Sequence, residues 1–215
     1  MAFQNAELPS QIDQHDESNE LPNDVISCLK SARFLQLGTS YDDYPHVSLM
    51  NYTYIAKGDA EPYESEAIIV MTSDKRTRKF FNITSNPRVS ILVHDWVSKQ
   101  ATTSPSHGVS QGLSQFLLSM NQAELSSISA TLNGLARIVT NEEEAFFFKQ
   151  KLLNSNPTEA RPFIDADDSA VILVKISSAR VADVENNVIN WKEPGSEFTP
   201  QDSADGGIIN DTTSS

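Results

Sequence analysis

The sequence predicts a mainly β (α+β) fold: an antiparallel Greek-key barrel of six to seven strands with three or four helices packed outside. Two observations carry this. The strand-like segments are linked by short turns as hairpins, and the helical segments interrupt them too irregularly for the steady β-α alternation of a parallel sheet. A third sets the scale: 215 residues suffice for one substantial core. A barrel of this size fills its own interior with side chains, so a large ligand must bind at an edge or a subunit boundary.

Leu21-Pro-Asn-Asp24 opens the ordered chain. Asn23 or Asp24 can cap a short helix whose apolar positions Val25, Ile26 and Leu29 follow helical spacing, and Cys28 reads as a small packed side chain. Phe34 to Thr39 reads as a strand, Ser40 to Pro45 as a turn, and His46 to Ile55 as a second strand. On that strand Val47, Leu49, Asn51, Thr53 and Ile55 share one face, with His46, Ser48, Met50, Tyr52 and Tyr54 on the other.

A polar loop, Lys57 to Glu66, leads to an apolar strand over Ala67–Thr72. A helix is expected from about Asp74, capped by Ser73 or Asp74, to Ser85, stopped by Asn86-Pro87. Arg88 to Trp96 forms the next strand. Residues 98–122, rich in Ser, Gln and Thr, read as a mobile insertion with one helical segment around Phe116-Leu-Leu118. Ser127 to Thr140 returns to strand, with Gly134 marking a bulge or close backbone approach. Asn141 with Glu144 makes a capping box for a helix through Phe146, Phe147, Phe148, Leu152 and Leu153, ended by Asn156-Pro157. The three phenylalanines fit an amphipathic helix lying on the barrel. Two strands, Ala170–Ile176 and Arg180–Val184, close the fold, continuing toward Trp191.

Charge divides the chain in three. Residues 1–20 carry five acids and no Lys or Arg, and residues 192–215 carry five acids and one Lys. These tails hold nine of the formal −13 charges, leaving −4 for the domain at 21–191. Both tails are therefore expected to be disordered. The balance argues against nucleic acid, and no apolar run approaches the roughly 20 residues that span a bilayer. The N-terminus lacks the basic and apolar regions of a signal peptide, and a single cysteine, Cys28, suits a reducing compartment. The expectation is a cytoplasmic protein, with the nucleus left open. Asn51-x-Thr53, Asn82-x-Thr84 and Asn210-x-Thr212 carry no weight as glycosylation sites without a secretory signal.

The strongest functional signal is Thr77-Arg78-Lys79 at a strand-to-helix junction. An arginine fork, a lysine point charge and free backbone amides at a helix start are what a phosphomonoester needs. His46 is open to two readings, a polar group on a ligand or an ordinary strand residue. His94 beside Asp95 reads first as a hydrogen-bonded structural pair, with haem ligation as its alternative.

Pro45, Thr72, Thr77-Arg78-Lys79, Asn86-Pro87-Arg88-Val89-Ser90 and Trp96 together resemble the flavin-binding split-barrel family typified by pyridoxamine 5′-phosphate oxidase. The likeness covers most of residues 21–191 and is densest between 45 and 96. The run His46–Tyr54 looks closest to a fungal branch of oxidase homologues. The resemblance implies FMN held at the interface of a homodimer. It puts the FMN phosphate on Arg78 and Lys79 with the Thr77 hydroxyl. Val47, Ser48 and Asn51 would meet the ring and ribityl chain, with Met71 and Thr72 beside them, and Ser129 and Trp191 would come from the other subunit. Two departures limit it. The oxidases' arginine and lysine on the strand after the proline are here Ser48 and Thr53. Their Arg-x-His pair beyond the tryptophan has no counterpart after Trp191, where the chain reads Lys-Glu-Pro-Gly-Ser-Glu-Phe. The resemblance therefore implies an FMN-dependent oxidoreductase of undefined substrate, without specific oxidation of pyridoxamine phosphate. The alternatives are a flavin carrier or sensor without turnover, and a haem-binding barrel using His94.

Overall fold

The computed structural model describes residues 13–16, 18, 20–95, 128–156, 158–166, 168–183, 185 and 187–195. The expected insertion at 98–122, Trp96 and most of both tails lie outside them. Among the described residues the chain forms one nine-stranded sheet and four α-helices. In chain order these are β1 (Asp13–Asp16), α1 (Asn23–Ser31), β2 (Phe34–Tyr41), β3 (Tyr44–Asn51), β4 (Thr53–Ile55), β5 (Ile68–Asp74), α2 (Arg78–Ser85) and β6 (Arg88–His94). Then follow β7 (Ile128–Ile138), α3 (Glu142–Ser155), α4 (Arg161–Ile164), β8 (Ser169–Asp183) and β9 (Val188–Lys192).

The sheet runs β3-β2-β6-β7-β8 and continues from β8 through β5 to β4. Because β4 follows β3 after a single residue, Tyr52, one bent stretch of chain pairs with β2 and then with β5 and closes the barrel. The single strand expected over His46–Ile55 is thus two. Tyr52 marks the bend: its ring is buried and its hydroxyl donates to the Leu29 carbonyl at 2.8 Å, pinning α1 across the barrel end. The β2–β3 hairpin turns on Asp42 and Asp43, at φ 50° and 59°, a tighter turn than Ser40–Pro45. Both residues lie in the left-handed region, which short polar side chains tolerate and whose twist suits a two-residue hairpin.

Two clusters make the core. Leu35, Leu37, Ile69, Met71, Ile91, Leu132, Ile172 and Val174 fill the barrel under Val25, Cys28 and Leu29 of α1. Burial pushes the Cys28 thiol up to about 12, with the Asp95 carboxylate adding to it. Phe148 and Leu152 of α3, with Ile164 of α4, cover Ile68, Val70, Val171 and Leu173 on the outside of β5 and β8. This second layer explains why β5 and β8 read as unbroken apolar runs: each is buried on both faces. Asn141 caps α3 as expected, accepting from the Glu144 amide at 2.9 Å. Phe148 is buried, while Phe146 stands exposed on the outer side of that helix.

Three expectations are corrected. Ala170–Ile176 and Arg180–Val184 are one long strand, β8, because both halves pair with β7 across a register shift at Asn133/Gly134. Helix α1 has Pro22 in the cap position, and neither Asn23 nor Asp24 caps it. The N-terminal tail is not wholly unstructured: Asp13–Asp16 pairs in parallel with Val188–Trp191.

Candidate functional site

The site begins at a seam in the barrel. Pairing between β4 and β5 ends at Thr53↔Val70. Beyond it β3 and β5 diverge, leaving main-chain donors and acceptors along both edges without a ladder partner among the described residues. A cleft of about 510 Å³ occupies this gap, within the roughly 300–1,000 Å³ usual for small-molecule sites. Phe34, Leu49, Asn51, Thr72, Thr77, Lys79 and Phe163 are among its lining residues.

One end of the cleft is built by the turn between β5 and α2. Helix α2 does not start at Asp74 as expected. The Asp74 carboxylate accepts from the Arg76 amide at 2.8 Å and from the Arg76 guanidinium at 3.0 and 2.6 Å. A side chain that closes on its own turn in this way competes with helix formation. The Thr77 hydroxyl donates back to the Asp74 carbonyl at 2.8 Å and makes no cap bond. The first helical bond is from the Phe81 amide to Thr77. The amides of Arg78, Lys79 and Phe80 therefore precede the ladder, and this delayed start leaves the first-turn donors available where the two cations stand.

Arg76 is spent on Asp74, whereas Arg78 and Lys79 make no ion pair among the described residues. Burial holds the Lys79 ammonium below its ordinary pKa, with the Asp74 carboxylate pulling the other way. An anion placed against Lys79 would raise it again. The Arg76 hydrogen bonds hold Asp74 at about 2, below its ordinary 3.8. The folded value is the lower one, so this turn's stabilisation is present above pH 3.8 and is lost as the pH falls through about 2. A carboxyl-resolved NMR titration should place the Asp74 midpoint near 2 and move Arg76 Nε–H with it; a midpoint near 4 would refute the clamp.

Helix α2 is held to the barrel by buried Asn82, which donates to Thr39 Oγ1 at 3.0 Å, and by Asn86, which donates to Ser40 Oγ at 3.1 Å. Asn86 thus does more than end the helix: it ties the helix exit to β2.

Of the ten residues singled out from the sequence, Asn51, Thr72, Thr77 and Lys79 line the cleft, and Arg78 stands exposed beside it on the first turn of α2. Val47 is 66% exposed on the outer sheet face. Ser48 points the other way, its hydroxyl 3.2 Å from His46 Nε2. Strand alternation turns the Met71 side chain wholly into the barrel core, so what it can offer the cleft is its backbone. Trp191 is buried on the core side of β9, and its indole N–H donates to the Ser18 carbonyl at 3.0 Å. It lines a separate, smaller cleft with Tyr54 and Leu21.

Ser129 lies outside the cleft, paired with His94 and Ala182. Strand alternation and register place it on the same open sheet face as Leu49, Gln36 and Leu92. Val47 and Leu49 of this face are 66% and 62% exposed. Ser90, Asn133 and Ser178 form a hydrogen-bonded row across the same face. Sequence reasoning missed Phe34, Leu49 and Phe163 as lining residues. Phe34 and Leu49 carry only a strand signal, and Phe163 reaches the cleft because α4 folds back onto β5.

The family model described as pyridoxamine 5′-phosphate oxidase matches residues 21–184. A Schizosaccharomyces pombe protein described as a pyridoxamine 5′-phosphate oxidase homolog is 42% identical, over 85% of this chain and 96% of its own length. A Saccharomyces cerevisiae homolog so described is 32% identical, over 81% of this chain and 95% of its own. Among solved structures, a heme binding protein from Mycobacterium smegmatis superposes with a TM-score of 0.53 at 18% identity, over 79% of this chain and 57% of that one; this likeness is one of fold. The barrel, the seam and the sequence relatives lead to one conclusion: the chain belongs to the pyridoxamine 5′-phosphate oxidase family.

Proposed function

We propose that the seam cleft binds FMN and that the protein works as an FMN-dependent oxidoreductase. One observation carries the reading: Arg78 and Lys79, which make no ion pair among the described residues, share a helix start with free amides, and Lys79 lines a cleft of ligand size with Arg78 exposed beside it. The neighbouring acid, Asp74, is already neutralised by Arg76, so the clamp keeps its positive sign. Thr77, Arg78 and Lys79 would hold the phosphate. Asn51, Thr72 and the unpaired backbone edges of β3 and β5, at Ser48 and Met71 among others, would meet the ribityl chain and ring. When bound, the flavin supplies hydride transfer, and the protein's part is to bind, orient and exclude water.

The open sheet face supports the homodimer. Val47, Leu49 and Leu92 expose more apolar surface there than isolated surface residues would, and the cleft opens at its margin through Leu49 and Asn51. A second copy packed on this face would bring its Ser129 toward the cleft. Trp191 would need the Ser18 contact to open before it could take part. His94 lies on this face outside the cleft, so the haem alternative has no support from the cleft's geometry. A carrier or sensor without turnover would share the same pocket.

The test is direct. Purified protein is expected to carry FMN, seen by flavin absorbance and mass spectrometry, or to quench FMN fluorescence stoichiometrically in a titration. Colourless material that leaves added FMN fluorescent at micromolar protein would refute the reading.

A further inference from the structure

Helix α4 is only four residues long, yet it is bolted in place. Ile164 is buried, its carbonyl accepts from Ser169 Oγ at 3.0 Å, and the Phe163 carbonyl accepts from Thr72 Oγ1 at 3.2 Å. The product of this fixation is a phenylalanine, Phe163, left 70% exposed at the cleft. Nothing in the packing needs that ring outside: the helix is anchored by Ile164 and by main-chain carbonyls.

A charge census of the cleft adds a constraint. Its charged lining groups are Lys79 and Asp74, and Asp74 is taken by Arg76. The rest is apolar (Phe34, Leu49, Met50, Phe163) or neutral and polar (Asn51, Thr72). Once a cofactor phosphate occupies the Lys79 end, the described lining offers no second cation. An anionic second ligand would be desolvated without a partner.

We propose that the second ligand of this cleft is an uncharged, planar ring compound stacked on Phe163. This rests on the FMN reading for its partner in the cleft, and it names the substrate class that reading leaves open.

Equilibrium dialysis tests it with 1,4-naphthoquinone and pyridoxamine 5′-phosphate, each against the full chain with and without added FMN. The probe is not consumed by thiol addition, because the single cysteine is buried with its pKa pushed up to about 12. FMN-loaded wild-type protein is expected to bind the quinone more tightly than the phosphorylated amine. Phe163→Ala should weaken the quinone about tenfold and Phe163→Trp should restore it, each measured at an FMN concentration that a fluorescence titration shows to saturate that variant. Tighter binding of pyridoxamine 5′-phosphate to the FMN-loaded chain, or equal quinone binding by wild type and Phe163→Ala, would overturn the proposal. Refusal of FMN would overturn the cofactor reading, and the dialysis without FMN would still decide the role of Phe163.

Discussion

Replacing Arg78 and Lys79 together by alanine should weaken FMN binding by roughly 10²- to 10⁴-fold while leaving the barrel folded. Hydrogen bonds to a charged group contribute about 1.5–3 kcal/mol each, so the loss of two removes about 3–6 kcal/mol. The fold should tolerate the change. Arg78 is exposed, neither side chain has an ionic partner among the described residues, and alanine is the better helix former. Lys75→Ala is the control: it removes an exposed cation from the same turn and leaves the Asp74–Arg76 pair in place. Fluorescence-quench titrations across these variants separate a local clamp from a general positive field. If the double variant keeps wild-type affinity, or if Lys75→Ala loses as much, the phosphate is not held where we put it.

The largest expected loss of stability falls on Gly134. It sits at the register shift between β7 and β8, where a Cβ would lie 2.2 Å from the Lys175 carbonyl oxygen and 3.0 Å from Val174 Cγ1. The obstructing atom is main chain in the middle of the most extensively paired strands, so it cannot swing aside. Gly134→Ala should cost about 2–3 kcal/mol, seen as a fall in Tm of roughly 5–10 °C for a domain of this size. A shift under 1 °C in a calorimetric scan would mean that the two strands lie farther apart there.

How much of this was legible beforehand differs element by element. The bulge at Gly134, the Asn141 cap and the Asn86 stop could be read because each is a local preference of one or two residues, which the tertiary structure had no reason to override. The start of α2 was misread because Ser73 and Asp74 are good caps on paper. Arg76, two residues on, turned the Asp74 carboxylate into the closing group of a turn instead. Thr77, Arg78 and Lys79 were singled out from their adjacency, and the later helix start puts them where first-turn amides precede the helical ladder. Met71 and Trp191 were carried over from the family pattern, and their side chains proved to face the core.

From its residues alone the chain determined an antiparallel β class, an acidic balance concentrated at its ends, and a paired cation motif at a strand–helix junction, since all three follow from period, composition and adjacency. Tertiary structure decided which edges stay unpaired and that Phe163 comes to stand at the cleft. The physical reason is range. A strand's alternation is set by its neighbours along the chain, whereas a seam between β3 and β5, or α4 laid on β5, exists only after residues far apart in sequence have been brought into contact.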